Sequence, residues 1–213
     1  MSSDFIDLVL SITPGSHLDQ LRRHREVARD NIQKAYEALF SPRDASEVSL
    51  YERFAIASFV TGLHGQLVLA DHYAHRLSTT EHGVVTGGII NAERERGTTE
   101  GPYGNYPEGP LSTENKAGLI YAVSPEHREA LGERLAAALE HAHLLIFRPR
   151  DASKAALDRL IAAGWSTAGI VTISQLVSYL AFQTRIVEGL SALAAARVTA
   201  PRLPNVVPAS AIA

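Results

Sequence analysis

The 213-residue chain contains no cysteine. Within this sequence, disulfide bonds, thiolate metal sites and every mechanism that needs a thiol are therefore excluded. An excess of basic charge is also lacking, because the net charge is −3, which gives no surface of the kind that binds nucleic acid. We therefore expect neither a thiol enzyme nor a nucleic-acid-binding protein.

The chain also lacks a leader-like N-terminus and a clear bilayer span. The first apolar run, residues 5–12, is interrupted by Asp7 and followed by Pro14, which does not resemble a signal peptide. The longest uncharged stretch, residues 165–184, carries several Ser, Thr and Gln side chains and is typical of a buried core helix. These features predict a cytoplasmic protein that does not associate with membranes.

One seven-residue segment occurs twice. FSPRDAS at residues 40–46 returns as FRPRDAS at residues 147–153, with six of seven positions identical and an offset of 107 residues, half the chain. In each copy a phenylalanine ends an apolar helix, proline prevents its continuation, and aspartate and serine are good N-caps for the next helix. The pattern predicts an all-α, multihelical fold built by internal duplication.

The predicted organisation is a single compact domain made of two helical repeats, residues 1–96 and residues 117–196. Between them, residues 97–116 are too rich in Gly and Pro for a regular element, and their tyrosines favour an ordered connector. Residues 197–213 form a proline-containing tail, which we expect to be extended or disordered.

Local signals place the starts of several helices. A capping-box pattern at Ser16 predicts a helix that runs to Phe40, and a second one at Ser49 predicts a core helix that runs to Leu77 with a bend near its glycines. Ser124 precedes a proline that is well suited to the first position of a helix. Further helices are expected over residues 78–96, 154–163 and 167–195.

Three segments of the sequence resemble a known family. They are ERFAIA leading into LHG within residues 52–65, EGPYGNYP at residues 100–107, and AAGWS to FQTR within residues 162–185. They resemble the carboxymuconolactone decarboxylase-like or alkylhydroperoxidase-D-like proteins, in particular the double-domain, peroxidase-related branch with its oxidoreductase-like members. The resemblance implies an all-α fold that assembles as dimers, trimers or hexamers.

The catalytic cysteines of that family are missing from this chain. Active members of the peroxidase-related branch carry a Cys-x-x-Cys pair and a following His on the helix that corresponds to residues 52–77. Depending on the register, the cysteine positions here are His64 and Leu67 or Gln66 and Leu69. Thiol peroxidase activity is therefore excluded, whereas the decarboxylase branch, which uses a His acid/base, still allows an enzyme.

The resemblance and the local sequence together single out four candidate catalytic residues. His64 or His72 would act as the acid/base, Glu52 would orient it, and Tyr73 would assist. Two alternatives remain open at this point. Glu52 is equally explained as the capping-box partner of Ser49, and the histidines as hydrogen-bonded or exposed residues of a helix.

The spacing of the histidines limits metal binding. On one continuous helix, His64, Asp71 and His75 would share a face. His64 and His75 would lie about 16 Å apart along the axis, too far to bind one ion, which leaves His72 with Asp71 or His75 as a feasible local pair. We predict no metal and no cofactor.

Three further polar residues are given structural roles. His141 and His143 point to different faces near the end of a helix, where the helix dipole favours them. Arg185 interrupts an apolar helix, so we expect it to be buried and paired with Asp151 or Glu188.

Two functions remain open. The first is a cysteine-less enzyme that acts on a small organic acid or lactone-like substrate, and a pocket that converges on Glu52 and His64 would favour it. The second is a non-catalytic, oligomeric relative that binds a small ligand or a partner protein. The helix over residues 167–195 is apolar on nearly all sides, and residues 54–69 and 135–147 add further apolar faces. We therefore expect a homo-oligomer, a dimer at least, that covers the surplus.

Overall fold

The computed structural model describes residues 4–199, and it describes side chains as far as residue 196. Within that range the protein is all-helical, as predicted. The predicted tail lies outside the described residues from residue 200 onward. The helices of the described range are α1 (Phe5–Val9), α2 (His17–Arg23), α3 (Glu26–Phe40), α4 (Leu50–Leu63), α5 (Leu67–Ser78), α6 (Gly83–Gly97), α7 (Pro125–Phe147), α8 (Lys154–Ala162) and α9 (Thr167–Thr199), with 3₁₀ turns at Pro110–Glu114 and Pro149–Asp151.

Helix α4 forms the centre of the fold. Every residue from Glu52 to Thr61 is buried, and α5, α6, α7 and α9 pack around the helix. A helix that is apolar on all sides must be buried on all sides, which explains its position. The stretch from Leu135 to Leu139 in α7 is also buried. A single chain therefore covers two apolar faces that the sequence assigned partly to subunit contacts.

Helix α9 is covered on one side only. Ile173 and Leu180 are fully buried, whereas Val171, Phe182 and Leu193 are exposed by 50%, 49% and 46%. By length and composition α9 is apolar enough to cross a membrane, but half of the relevant window is buried inside the protein, as in the core helix of many soluble proteins. This face of α9 thus carries part of the exposed apolar surface of the protein.

The predicted helix starts are confirmed. The Ser16 hydroxyl accepts the backbone N–H of Asp19 at 3.2 Å. Ser49 and Glu52 form a complete capping box, in which Glu52 accepts the Ser49 N–H at 2.8 Å. Ser124 caps α7 immediately before a proline at the first helical position. Caps are readable from sequence because donor and acceptor lie three residues apart.

Two predicted helices are interrupted. The helix expected from Ser16 to Phe40 is broken at residues 24–25, which separates α2 from α3. The helix expected to continue to residue 77 is broken after His64. Gly65 has a φ of 73° there, a conformation that glycine adopts without steric cost. The predicted bend is therefore a full break, and α5 starts in a new direction.

A kink that the sequence analysis missed lies in the first third of α7. Gly132 has φ 78° and ψ 156°, which is non-helical, so the turn before it and the long segment after it are separate helical pieces. The segment after the kink carries Arg134 toward the N-terminus of α4, where it bonds to Glu52. The kink thus aligns α7 with the central helix.

The connector is attached to the turn that follows α7. The Tyr103 N–H donates to the Phe147 carbonyl at 2.6 Å, and the Asn105 N–H donates to the Asp151 carboxylate at 3.0 Å. The backbone of Gly104 pairs with that of residue 116 in an isolated antiparallel bridge. These long-range bonds hold the connector against the second copy of the repeated segment.

The two repeated segments have the same backbone conformation at the residue that follows each helix, and they differ after it. Ser41, after α3, has φ −140° and ψ 48°, and Arg148, after α7, has φ −134° and ψ 45°. Phe40 and Phe147, the last helical residues, are both buried. The second segment then forms a 3₁₀ turn, whereas the first continues as irregular backbone.

Candidate functional site

Glu52 is a structural residue of the α4 N-terminus. Besides its cap on Ser49, it accepts a hydrogen bond from Nε of Arg134 at 2.7 Å. His64 lies at the other end of α4, about 18 Å away along the axis. Glu52 therefore does not orient His64, and the two do not share a pocket.

Arg134 joins three parts of the chain at this position. Its two terminal nitrogens donate to the carbonyls of Gly164 at 2.8 Å and Glu47 at 2.6 Å, and its guanidinium stacks 3.6 Å above the Trp165 ring. The Trp165 indole in turn donates to the Arg134 carbonyl at 2.8 Å. The carboxylate of Glu52 thus completes a clamp between α4, α7 and the turn before α9.

His64 and His72 belong to different helices. His64 is the C-cap of α4, and His72 lies in α5, so the shared face expected for His64, Asp71 and His75 on one continuous helix does not exist. The Nε2 atoms of His64 and His72 are both buried, and neither has a hydrogen-bond partner within the described part of the chain. These two histidines are packed without being bonded.

Burial keeps these two histidines uncharged. It lowers the pKa of His64, and the Arg185 guanidinium lowers it further. Burial lowers the pKa of His72 to about 4, and the neighbouring Arg76 and His75 lower it as well. The His72 ring packs edge-on against the aromatic rings of α1 and α5, with centroids 4.9 and 5.2 Å away. His72 is therefore part of an aromatic cluster.

Tyr73 is bonded inside the core. Its hydroxyl donates to the Gln183 side chain at 2.8 Å, and Gln183 donates to the Tyr179 hydroxyl at 3.1 Å. Both tyrosines and Gln183 are buried, and burial raises the pKa of Tyr73 well above its ordinary value. This chain of bonds connects α5 to α9, and it leaves the Tyr73 hydroxyl out of contact with solvent.

Arg185 also departs from its expected role. It is exposed, not buried, and one of its terminal nitrogens donates to the Ala181 carbonyl at 2.6 Å. Among the described residues no carboxylate pairs with it, so neither Asp151 nor Glu188 is its partner. An exposed arginine needs no such partner because water solvates its charge.

A cavity lies on the other side of the fold, between α7, α8 and the end of the connector. Its volume is about 360 Å³, and the wall includes two histidines, four charged side chains and a tyrosine. None of the four candidate residues from the sequence analysis lines it. The lining residues are Ile120, Tyr121, Ala137, Glu140, His141, His143, Leu144, Arg148, Asp151, Ser153, Ala156, Arg159 and Leu160.

His141 is bonded to α9 through Nε2. This nitrogen lies 3.2 Å from the Ser174 hydroxyl, which in turn lies 2.9 Å from the Ile170 carbonyl. When the hydroxyl donates its hydrogen to Ile170, Nε2 carries the proton and Nδ1 carries the lone pair. Nδ1 is buried and has no partner in the described part of the chain. Burial, and then the Arg159 guanidinium, lower the pKa of His141 and keep it neutral.

His143 is fixed in the same tautomer by α6. Its Nε2 lies 2.9 Å from the Gly97 carbonyl, which can only accept, so the lone pair of the neutral ring is again on Nδ1. Burial lowers the pKa of His143, the bond to Gly97 raises it, Arg148 lowers it, and the net shift is downward. The ring stacks on Tyr121, with centroids 4.7 Å apart. The cavity wall thus contains two neutral histidines that are held through Nε2.

The charged groups of the wall are not equivalent. Arg148 donates from Nε to Asp151 at 2.7 Å, which neutralises both, and Glu140 pairs with Arg128. Arg159 is exposed and has no ion-pair partner among residues 4–196. It is the cation of the wall that remains available to an anionic ligand.

A buried carboxylate holds one residue of the cavity wall, Tyr121, in place. Glu93 is fully buried and accepts the Tyr121 hydroxyl at 2.7 Å, the Ser124 N–H at 3.1 Å and Nδ1 of His127 at 2.6 Å. Burial raises the pKa of Glu93, but these hydrogen bonds lower it and the net shift is downward. Glu93 therefore fixes the ring of Tyr121 against which His143 stacks.

The signal for this site in the sequence is weak. His141 and His143 were noticed and assigned to the helix dipole, although they lie well inside α7 and bond to Ser174 and Gly97. Their partners are 33 and 46 residues away, so no local pattern contains the site. The two histidines in the more apolar second half of α7 were the usable clue.

Within the part of the chain that the structure describes, no group of three or more His, Asp or Glu side chains is placed to hold a metal ion. The chain matches no protein-family model, no curated protein and no solved structure. What can be said of its function therefore depends on the geometry of the cavity.

Proposed function

We propose that the protein binds a small organic acid in the α7–α8 cavity and transfers a proton to and from it with histidine as the acid/base. The observation that supports this proposal is the pair His141 and His143, two imidazoles that burial keeps neutral and that are held through Nε2 by groups outside α7. A neutral imidazole accepts a proton near neutral pH, and Arg159 supplies the charge that attracts a carboxylate.

Histidine acid/base chemistry is also what the sequence led us to expect. The proposed site differs, because it is the α7–α8 cavity and not the region of Glu52 and His64. The decarboxylase-like group that the sequence resembles uses a His acid/base, and the matched backbone at Ser41 and Arg148 supports the duplicated fold that the resemblance implies. Glu52, His64 and Tyr73 have no part in the proposed chemistry. Their contacts are those of a helix cap and of core packing.

A second candidate function is ligand binding without chemistry. It is favoured by one observation: Nδ1 of His141 lies beneath the cavity wall and has almost no surface open to water. Proton transfer through His141 then requires its ring to shift when the ligand enters. His143 and His141 are therefore tested separately.

The test is deuterium exchange into 2-oxobutanoate in D₂O, followed by proton NMR. A histidine base removes a proton from C3, beside the ketone, and returns a deuteron from solvent to the same carbon. We expect exchange above the buffer rate, and a loss of 10²- to 10⁴-fold in the variant that lacks the acting base, His141→Gln or His143→Gln. Glutamine keeps the donor bond to Ser174 or Gly97 while it removes the imidazole lone pair.

The matched control is His64→Gln, which removes a half-buried histidine that does not line the cavity. Exchange that is lost in His64→Gln and kept in the two cavity variants would overturn the proposal. Saturable binding of 2-oxobutanoate without any exchange would establish the second candidate instead.

A further inference from the structure

A second, half-open cavity shares part of its wall with the first and has no charged lining. Its volume is about 340 Å³, and it shares His141, Ser153 and Ala156 with the first cavity. The remaining wall is formed by Leu145, Ala152, Leu157 and Ser174, so no charged side chain lines it. His141 therefore stands between a charged compartment and an uncharged one.

We infer that the ligand is an amphiphilic acid, whose carboxylate lies on the Arg159 side and whose alkyl chain fills the second cavity. This inference rests on the proposed function and adds the substrate class. Arg159 is the wall cation without an ion-pair partner in residues 4–196, and Leu145 and Leu157 offer an apolar surface beyond His141. A molecule that spans both compartments places its middle atoms beside the imidazole.

The size of the second cavity limits the chain. A volume of 340 Å³ equals roughly ten units of the ~30 Å³ that a water molecule occupies in the liquid, and a methylene group is of similar size. Allowing for imperfect filling, a chain of roughly six to eight carbons fits. Each methylene that leaves water tightens binding by about 0.8 kcal/mol, which is about fourfold.

The experiment is calorimetric titration of the full chain with linear alkanoates of three to ten carbons. We expect Kd to fall about fourfold per methylene and then to level off near eight carbons. Alkanols of the same lengths should bind at least tenfold more weakly, and Arg159→Gln should remove that difference. These results would support the inference.

The second part of the experiment uses a variant whose larger side chain is meant to occupy the second cavity. Ala152→Phe is placed to occupy it and should abolish the gain with chain length while short alkanoates still bind. Ala155→Phe is the matched control, because Ala155 is exposed three residues further along the chain, in α8, and does not line either cavity. The control should bind the whole series as the wild type does.

The outcomes separate the inference from the proposed function. Alkanoate binding that is weakened by His141→Gln but does not change with chain length overturns the inference and leaves the proposed function standing. A gain with chain length that Ala152→Phe does not reduce also overturns it, since the chain then binds elsewhere. If no alkanoate binds and 2-oxobutanoate does not exchange, both are wrong.

Discussion

Two pairs of histidines are held in different ways, one pair at the α4–α5 junction and the other in α7. His64 and His72 have buried Nε2 atoms without partners and pack among aromatic and aliphatic side chains. His141 and His143 have bonded Nε2 atoms and line a cavity. Burial lowers the pKa of all four, so the pKa does not distinguish them. What distinguishes them is a bonded Nε2 atom and a position in the wall of a cavity.

The largest effect is expected for Glu52→Ala, which tests whether that carboxylate is structural. Loss of the cap costs about 1 kcal/mol, and loss of the charged bond to Arg134 about 2 kcal/mol more. We expect the free energy of unfolding, from urea titration at pH 7, to fall by about 3 kcal/mol. The exposed Glu129→Ala is the control and should change it little.

This prediction would be contradicted by a Glu52→Ala protein of wild-type stability that no longer binds alkanoates. Glu52 would then act on the ligand, and the structural role given to it would be wrong.

His72→Phe tests the pH dependence of the unbonded pair. The pKa of His72 is about 4 in the folded protein and about 6.5 in the unfolded chain, so the unfolded chain binds the extra proton between these values. Stability is therefore lost as pH falls from 6.5 toward 4, by about 2 kcal/mol between pH 7 and pH 5. In His72→Phe, urea unfolding at the two pH values should show a correspondingly smaller difference.

His24→Gln is the control for that experiment, because His24 is exposed at the end of α2. If the free energy of unfolding depends equally on pH in the wild type and in His72→Phe, the pKa of His72 is not lowered by burial.

Tyr73→Phe tests the bond chain between α5 and α9. Removing the hydroxyl leaves the Gln183 side-chain oxygen buried without its donor, which costs about 1.5 kcal/mol. Thermal unfolding should show the loss, while deuterium exchange into 2-oxobutanoate should keep its wild-type rate. Tyr106→Phe, on the connector, serves as the control. A Tyr73→Phe protein that is as stable as the wild type but does not catalyse the exchange would show that Tyr73 takes part in the reaction.

The smallest effect on the folded subunit is expected for Phe182→Glu on the exposed face of α9. The stripe on this face recurs at alternating intervals of four and three residues, and every member is exposed. Val171 and Phe182, two large apolar side chains on this face, are about half exposed, so we still expect a homo-oligomer that uses this face. The stripe consists of Ala168, Val171, Gln175, Ser178, Phe182, Arg185, Gly189 and Ala192.

Light scattering at micromolar concentration should give at least twice 23.0 kDa for the wild type and a monomer for Phe182→Glu. The stability of the monomer should change by less than about 0.5 kcal/mol, because Phe182 is half exposed. A wild-type protein that scatters as a single 23.0 kDa species would contradict the expected assembly.

The parts of the fold that depend on neighbouring residues could be predicted from the sequence. The caps at Ser16, Ser49 and Ser124 are examples, since each involves a partner three residues away. The break at Gly65 was only partly foreseen, because a glycine in a helix predicts a bend but not its extent.

The site could not be predicted in the same way. The candidate histidines and Glu52 were expected on one continuous helix, but that helix is broken after His64. The cavity instead depends on His141 meeting Ser174 and on His143 meeting Gly97, contacts between separate helices. Which polar groups share a space is decided by tertiary packing, and periodicity carries no information about it.

The most direct test of the account is a histidine-ring NMR titration. Long-range ¹H–¹⁵N spectra report the tautomer of each imidazole, and the four buried histidines are assigned from single glutamine variants. We expect His141 and His143 to show the Nε2–H form, and octanoate to shift their signals while those of His64 and His72 stay unchanged. Shifts confined to His64 and His72 would contradict the account and place the ligand between α4 and α5.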